Sequence, residues 1–338
     1  MLKKLNAWLI SGTEKECGAN ICILYIGEES TKKYITELIF RRIHKEIFYQ
    51  NKTKTELFTL YFINKENIDI LFIEAIGDLF KKSHHKKYFS TPIWIKSKTD
   101  LPLDESTKSI KSDIRKIHKY RLGYRITTDI EEIINFYHEM LIPYMQSRHN
   151  EKAITLDFKT IQNKIDKKEC SLLLIEMGNE SISGVLIIQE DNKTPILWRN
   201  GLKNGNTAYW NTGAIFATYY FSSKYLHKLG HKDLNLGNTR SFLNDGVLNF
   251  KKKWPLTIKS SNKSHLLIIP FKITESTISF LIKNPFIIHI NKNKLACAIF
   301  HAQIMEKNFS SLGDISENRY FLIKNSKITL KQIQVHDR

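Results

Sequence analysis

Three arginines stand at the ends of predicted structural elements, where a planar guanidinium group could recognise an anion. Arg148 follows a predicted helix, Arg199 ends a strand in LWRNG, and Arg240 lies in the turn after LNLGNT. A guanidinium can donate two parallel hydrogen bonds to a phosphate or carboxylate, so these residues are candidate substrate-binding groups. The alternative for each is a structural ion pair.

Two residues near Arg148 could relay a proton. Tyr144 and His149 lie in IPYMQSRH, after a proline, where a kinked helix could turn polar groups into a cleft. Histidine has the better intrinsic pKa for this role. Both are candidate catalytic residues, and the alternative is an ordinary helix end with exposed side chains.

The segment YWNTGA predicts the start of a helix that could bind the anionic part of a donor. The first backbone N–H groups of a helix are unpaired, and Gly213 would let a phosphate approach them beside Asn211 and Thr212. Capping of the helix by Asn211 or Thr212 explains the same residues without a ligand. Asn238 and Asn244 could similarly hydrogen-bond an acceptor or only form their turn.

These residues are carried by a chain whose pattern predicts two successive units. The first hundred residues combine three predicted strands, NICILYIG, ELFTLYFI and IDILFIEA, with a helix in STKKYITELIFRRIHKEIF. A polar stretch containing prolines follows and predicts a linker.

The second unit begins with a basic helix that Gly123 should stop, a short strand, and a helix that Asp129 caps and Pro143 should end or kink. Three strand-like runs joined by short turns then predict an antiparallel meander. A long helix ended by Gly230 and a short strand complete the pattern.

The composition is that of a globular protein with a strong excess of positive charge. The 338 residues are 42% hydrophobic and 11% aromatic, and the formal net charge is +18. This charge favours a polyanion partner such as a tRNA or a phosphorylated substrate, or peripheral contact with an anionic membrane. The many Lys, Ile and Asn residues are also what an AT-rich genome would produce.

The cysteines and the apolar segments indicate where the protein works. Cys17, Cys22, Cys170 and Cys297 lack the spacing of a zinc finger, so we expect reduced thiols and no metal site. No segment approaches the roughly 20 apolar residues needed to cross a bilayer, and the apolar run at the N-terminus is too short for a secretory signal. We therefore expect a cytoplasmic protein, with contact at the inner face of the membrane as an option.

The order helix, strand, helix, three antiparallel strands, helix, strand matches the GNAT acyltransferase fold. Within it, SIKSDIRKIHKYRLGYRITTD, NTGAIFATYYFSSKYLHKLGHKDLNLG and NDGVLNFKKKWP resemble the Fem-type (FemAB-like) and CelD-like acyltransferases. The resemblance covers about residues 106–256, and its two short motifs are Asp233 to Gly237 and Phe250-Lys251-x-x-Trp254. It implies an α/β (α+β) fold with a mixed, mostly antiparallel sheet flanked by helices.

The resemblance also implies a division of the chain. Residues 1–105 would form an N-terminal α/β unit and are a candidate degenerate GNAT-like half. Residues 106–300 would form the acyltransferase domain, and residues 301–338 a tail that packs on the core.

The activity implied is transfer of an acyl or aminoacyl group to an amine or hydroxyl of a larger acceptor, such as a cell-envelope precursor or a saccharide. The resemblance makes Lys251 a candidate catalytic residue, because the family places a lysine near the donor's phosphate or reacting ester, where it could neutralise developing charge, and makes Phe250 a candidate substrate-binding residue; the alternative is that KKK is a solvated helix face. The sequence lacks a G-x-S-x-G nucleophile elbow and a plausible cysteine nucleophile. Direct transfer in a ternary complex is therefore favoured over a covalent intermediate.

The donor is less closely defined than the reaction. The acetyl-CoA loop Q/R-x-x-G-x-G/A of standard GNAT enzymes is reduced here to Gly213 and Ala214. We expect the donor to be a co-substrate, namely aminoacyl-tRNA, acyl-CoA or acyl carrier protein, with no tightly bound cofactor. The rival interpretation is a non-catalytic module that binds RNA or tRNA on a GNAT-like fold.

Overall fold

The fold was obtained as a computed structural model. It describes residues 4–76, 88–149, 157–191, 193–260, 264–291, 294–302, 312–315, 317–324 and 327–331. The adjacent histidines of the polar stretch, His84 and His85, for which we expect a solvated loop, lie outside these residues.

The strands are, in chain order, β1 (Leu5–Glu14), β2 (Asn20–Gly27), β3 (Phe40–Lys52), β4 (Ile70–Ile76), β5 (Phe89–Pro92), β6 (Trp94–Asp100), β7 (Leu122–Thr127), β8 (Cys170–Met177), β9 (Glu180–Ile188), β10 (Ile196–Leu202), β11 (Asp233–Arg240), β12 (Thr257–Ser260), β13 (Ser264–Pro270), β14 (Phe286–His289), β15 (Leu295–His301), β16 (Asn318–Lys324) and β17 (Lys327–Lys331).

The helices are α1 (Glu29–Ile39), α2 (Lys54–Asn64), α3 (Lys108–Lys119), α4 (Ile130–Phe136), α5 (Ile142–His149), α6 (Phe158–Asp166), α7 (Ala214–Lys228), α8 (Gly246–Lys251) and α9 (Glu275–Lys283). A π-helical turn, Tyr137–Leu141, joins α4 to α5, and 3-10 turns occupy Lys203–Gly205 and Thr207–Trp210. Within the described residues, no helix is long and apolar enough to cross a membrane.

The chain forms two compact units that interleave along the sequence. Unit 1 comprises Met1–Ile95, Thr239–Phe250 and Ile258–Arg338, and unit 2 comprises Lys96–Asn238 and Lys251–Thr257. This division differs from the predicted ranges 1–105, 106–300 and 301–338, because two later segments return to unit 1. Whether residues 1–105 are a degenerate half stays a prediction.

Unit 1 is built on a mixed sheet of order β3-β1-β2-β4-β13-β5 and a second sheet of order β14-β15-β16-β17. The parallel strands β2 and β4 are matched from Ile23 with Ile70 to Ile26 with Ile73. Alternate residues of these strands enter two different core clusters, so both faces of the pair are covered.

Two predicted elements of unit 1 are wrong. ELFTLYFI, predicted as a strand, lies in the helix α2, which Thr53 opens with a capping box to Glu56. The helix predicted over STKKYITELIFRRIHKEIF ends at Ile39, and the remainder pairs with β1 as the strand β3. In both places, a capping residue or a strand partner decided what the apolar pattern left ambiguous.

Unit 2 contains the meander that the sequence predicts. Strands β7, β8, β9 and β10 are successively antiparallel, and β11 adds in parallel to β10 in the order β6-β11-β10-β9-β8-β7. Helix α4, the π-helical turn and α6 contribute to a core with β8 and β9, and α7 packs on β8, β9 and β10. The predicted fold class is confirmed as a mixed α/β architecture with mostly antiparallel sheets flanked by helices.

Two residues predicted to end helices of unit 2, Gly123 and Pro143, do not do so. Helix α3 ends at Lys119, and Gly123 lies inside β7, because Arg121 adopts the left-handed conformation with φ of 49°. Pro143 does not end its helix. It lies in the first turn of α5, directly after the π-helical turn, so the predicted end is wrong, whereas the predicted kink stays a prediction.

Candidate functional site in unit 2

The strands β10 and β11 open away from each other soon after they meet. Their register contains one matched pair, Ile196 with Asn235, whereas β10 stays paired with β9 from Ile196 to Leu202. The β9 register shifts between Leu197 and Arg199, which makes Trp198 the extra residue of a β-bulge. Beyond Leu197, the described residues of β10 therefore have no matched partner in β11, and we interpret this part of the strand as an uncovered backbone edge.

Gly237 explains why β11 turns at this point. Its φ is 81°, and a Cβ atom placed on it would lie 2.8 Å from the carbonyl oxygen of Leu197. Its N–H donates to Asn235 Oδ1 of its own strand at 2.9 Å. Only glycine combines this conformation with such a close approach to β10.

The carbonyl groups at this turn are held by a buried ammonium group. Lys251 is 1% exposed, and its Nζ donates to Gly237 O at 2.8 Å and to Asn238 O at 3.3 Å. The predicted candidates Lys251 and Asn238 are thus brought together, although it is the main chain of Asn238 that takes part; its side chain is exposed. The alternative of a solvated helix face does not describe Lys251.

The three consecutive lysines have three different environments. Lys252 is exposed, and Lys253 forms an ion pair with Asp113 and lies 5.6 Å from the ring centroid of Phe216. Three adjacent residues of the same type are therefore buried, exposed and ion-paired, respectively.

Aromatic rings from α7 pack beside this turn. The indole of Trp254, 3% exposed, stacks on Phe216 and on Tyr219 at centroid distances of 5.8 Å. The Lys251-x-x-Trp254 motif therefore anchors the chain after α8 to the helix α7 through its aromatic member and to β11 through its lysine.

A polar network that sequence reasoning missed links β10 to α7. Asn200 receives a hydrogen bond from Thr218 Oγ1 at 2.8 Å and donates through Nδ2 to Tyr219 Oη at 3.3 Å. The detectable feature was Asn200 itself, an amide inside a strand in LWRNGL, which needs polar partners where it is partly buried.

The predicted donor-binding segment forms the start of α7. Gly213 is the N-cap residue with φ of 84°, and no side chain caps the helix. Thr212 donates to Tyr209 O at 2.7 Å and Asn211 is exposed, so the predicted capping by either residue is absent. A Cβ atom on Gly213 would lie 3.2 Å from the Lys116 side chain of α3. Anion binding at this helix start stays a prediction.

The remaining candidates of unit 2 are Arg199, Tyr144, Arg148 and His149. Arg199 is exposed, donates to Trp198 O at 3.1 Å, and forms no ion pair with the described residues. Tyr144 is 8% exposed and therefore buried in α5. Arg148 and His149 end α5, and their side chains lie outside the part of the chain that is described.

Three further candidates belong to unit 1. The guanidinium of Arg240 lies 3.9 Å from the ring centroid of Trp94 and 4.9 Å from that of Tyr34, and burial lowers its pKa. Asn244 donates to Lys283 O at 2.8 Å, as a residue that shapes a turn would. Phe250 also belongs to this unit, so the predicted set is divided between the two units.

Comparison with known proteins gives a fold-level likeness. No family model and no curated protein matches the chain. Among solved structures it is similar to a DUF2156 C-terminal domain from Agrobacterium fabrum, with 11% identity, 84% of this chain and 87% of that one covered, and a TM-score of 0.40.

Two more solved structures are similar at the same level. For L-PGS from Bacillus licheniformis the identity is 10%, the coverage 82% and 84%, and the TM-score 0.37. For a GCN5-related N-acetyltransferase from Sphaerobacter thermophilus the identity is 9%, the coverage is 73% of this chain and 71% of that one, and the TM-score is 0.32. With TM-scores below 0.5, these likenesses do not carry an activity or a residue role to this chain.

Proposed function

We propose that the protein is an acyltransferase that moves an acyl or aminoacyl group to an amine or hydroxyl of a larger acceptor by direct transfer. The observation that carries this proposal is the opening between β10 and β11 in unit 2. A backbone edge that is uncovered in the middle of a sheet offers N–H and C=O groups to an extended ligand in the way an edge strand does. The resemblance of the surrounding sequence to Fem-type and CelD-like acyltransferases points to the same region.

The opening suits a donor with an extended, amide-rich or ester-bearing arm. Such an arm can add to the free edge of β10 as another strand would, which places its carbonyl carbon near the turn at Gly237. Acyl-CoA, acyl carrier protein and aminoacyl-tRNA share an activated acyl group attached to a phosphate-bearing carrier. The guanidinium of Arg199, on the open strand, forms no ion pair with the described residues and is a suitable phosphate or carboxylate partner.

In the proposed reaction, the acceptor nitrogen or oxygen attacks the donor carbonyl carbon. The new C–N or C–O bond forms while the bond from the acyl carbon to the carrier's sulfur or oxygen breaks, and the carrier leaves with that electron pair. The acceptor's proton passes to a base, for which Tyr144 and His149 remain the proposed residues, and then to the departing carrier. We assign Lys251 to positioning, since its ammonium holds the Gly237 and Asn238 carbonyls that shape the opening.

Direct transfer also agrees with the thiol chemistry of unit 2. Burial raises the pKa of Cys170 to about 12, so its thiol is protonated at neutral pH and is a poor nucleophile. A covalent acyl-enzyme on this residue is therefore disfavoured, and the donor and acceptor must be held together.

Hydrogen exchange with a panel of donors tests the proposal. The full chain is incubated with acyl-CoA, acylated carrier protein or charged tRNA, and backbone protection is mapped by mass spectrometry. We expect one donor class to protect residues 199–202 and 235–238 and to support transfer to an amine or hydroxyl acceptor. Protection by uncharged RNA alone, on lysine-rich surfaces and without turnover of any donor, would instead identify a polyanion-binding module.

A further inference from the structure

The outward face of helix α2 in unit 1 is apolar, which is unusual for a helix that covers a sheet. Its inward side places Leu57, buried, and Leu60 and Tyr61, partly buried, on one of the two core clusters of the unit. Its outward side carries Phe58, 62% exposed, with other large apolar residues around it. A helix at the surface normally has polar residues on the side away from the core.

Three exposed aromatic residues, Phe58, Phe62 and Phe271, are linked through ring contacts, and exposed Ile63 follows Phe62 in the chain; these four residues are here called the α2 patch. Phe62 and Ile63 are 50% and 74% exposed, and Phe271, just after β13, is 40% exposed. The ring centroids of Phe58 and Phe62 are 4.6 Å apart. The ring of Tyr61 links this pair to Phe271, since its centroid lies 5.6 Å from that of Phe62 and 5.1 Å from that of Phe271. A grouped aromatic surface of this kind indicates an interaction site, whereas single exposed apolar residues do not.

Lysines surround the α2 patch. The Nζ atom of Lys65 lies 5.5 Å from the ring centroid of Phe62, Lys272 directly follows Phe271, and Lys54 begins the helix. None of these three forms an ion pair with a described carboxylate, although Lys272 Nζ donates to the main-chain carbonyl of Glu66.

The acids nearby do not offset this charge. Glu56 is held by the Thr53 cap and by Lys52 at 3.2 Å, which leaves Glu66 as the other acid of the segment. The rim of the patch is therefore positive, in the same sense as the net charge of +18.

We infer that the α2 patch docks the protein on an anionic phospholipid surface. Aromatic side chains enter the headgroup region favourably, and lysines beside them keep their ammonium groups at the level of the lipid phosphates. The patch lies on the outward side of a helix, where its exposed side chains can enter the headgroup region of a bilayer. This inference is independent of the proposed acyl transfer.

Vesicle co-sedimentation of the full chain tests the docking. Phosphatidylcholine vesicles with and without phosphatidylglycerol are compared at low and at physiological ionic strength. The test variant is Phe58→Ser with Phe62→Ser, and the matched control is Ile43→Ser with Leu229→Ser, two apolar residues that are 41% and 53% exposed elsewhere. Thermal unfolding of each variant verifies that it folds, which exposed positions should permit.

We expect binding to the phosphatidylglycerol vesicles that weakens with salt, and a loss of about thirtyfold in the partition coefficient for the test variant. The control should bind as the unchanged protein does.

A second pair of variants tests the lysines. Lys54→Gln with Lys65→Gln should weaken the salt-dependent part of the vesicle binding, and Lys45→Gln with Lys96→Gln should have little effect on it. Equal binding by the test variant and its control, or no vesicle binding, overturns the inference. A concentration-dependent dimer that the test variant abolishes would assign the patch to a second copy of the chain and also overturn it.

Discussion

Two parallel strand pairs, β2 with β4 in unit 1 and β10 with β11 in unit 2, lie inside mixed sheets and are built in opposite ways. In unit 1, β2 and β4 are matched over four consecutive residues, from Ile23 with Ile70 to Ile26 with Ile73. In unit 2, β10 and β11 share one matched pair before they diverge. The closed pair stabilises its unit, and the open pair leaves a backbone edge for a ligand.

One side chain at the start of each pair shows how the difference arises. Asp69, just before β4, accepts the Cys22 N–H through Oδ2 at 2.8 Å and also donates its own N–H to Cys22 O. Asn235 also donates its main-chain N–H across, to Pro195 O at 2.9 Å, but its side chain accepts the N–H of Gly237 from its own strand. The aspartate ties β4 to its partner strand, whereas the asparagine stabilises the turn that takes β11 away from β10.

The closed pair should contribute most to stability, and Phe72→Ala tests this with the largest expected effect. Phe72 is fully buried between β2 and α9, with its ring 6.5 Å from Tyr25 and 6.0 Å from Phe280. Removal of the ring should lower the free energy of unfolding by about 3–5 kcal/mol in a urea titration. Ile43→Ala, at an exposed position, should change it by less than about 0.5 kcal/mol. A Phe72→Ala loss as small as that of Ile43→Ala would contradict the role of the closed pair.

The opening in unit 2 depends on a residue without a side chain, so Gly237→Ala should have the next largest effect. The new Cβ would require a left-handed alanine and would meet Leu197 O at 2.8 Å. Together these should cost about 2–3 kcal/mol in unfolding free energy and should reduce donor protection of residues 199–202.

Gly178→Ala is the matched control for this change. Gly178 also has a positive φ, 65°, but no atom lies within 4 Å of its ideal Cβ. Gly178→Ala should lower the free energy of unfolding by only about 1 kcal/mol, because only the backbone conformation is unfavourable for alanine. Equal losses for the two variants would show that the approach of β10 to Gly237 is unimportant.

The sequence predicts the scaffold of the open pair better than the opening itself. The meander from β8 to β10 and the helix α7 are predicted correctly, because short turns and the stop at Gly230, with φ of 90°, are local features. Leu229, an apolar residue just before this stop, is 53% exposed, since it follows the last helical residue.

The opening depends on contacts that no local pattern contains. Lys251 is buried because the carbonyl of Gly237 lies within reach of its ammonium, and nothing in KKK separates it from Lys252. A glycine inside a strand was the available hint, since it often marks a bulge or a close backbone approach. In unit 1, ELFTLYFI predicts a strand because apolar residues occur on both sides of α2, where the outward set forms the α2 patch.

Substitution of two neighbouring lysines, Lys251 and Lys252, tests how the turn of β11 at the open pair is held. Lys251→Met keeps most of the buried volume but removes both hydrogen bonds to the Gly237 and Asn238 carbonyls. It should lower the unfolding free energy by about 1–3 kcal/mol and alter the exchange rates of residues 235–238. Lys252→Met, at an exposed position, should change neither quantity.

Activity separates two roles for Lys251 once a donor is known. If Lys251 only positions β11, Lys251→Met should raise the KM for the donor more than it lowers kcat. A large fall in kcat with an unchanged KM would instead place its ammonium at the reacting carbonyl.

The smallest effect concerns the thiol at the edge of the closed pair, and it tests whether that pair stays closed. Burial, with a further contribution from the negative charge of Asp69, raises the pKa of Cys22 to about 11. Because the thiolate is the reactive form, alkylation of Cys22 by iodoacetamide should be very slow at neutral pH and should rise about tenfold per pH unit until the pH approaches that pKa. Cys17, which is exposed, provides the internal control in the same digest. If Cys22 is alkylated as fast as Cys17 at neutral pH, β2 and β4 separate in solution, and the two parallel pairs differ less than their registers indicate.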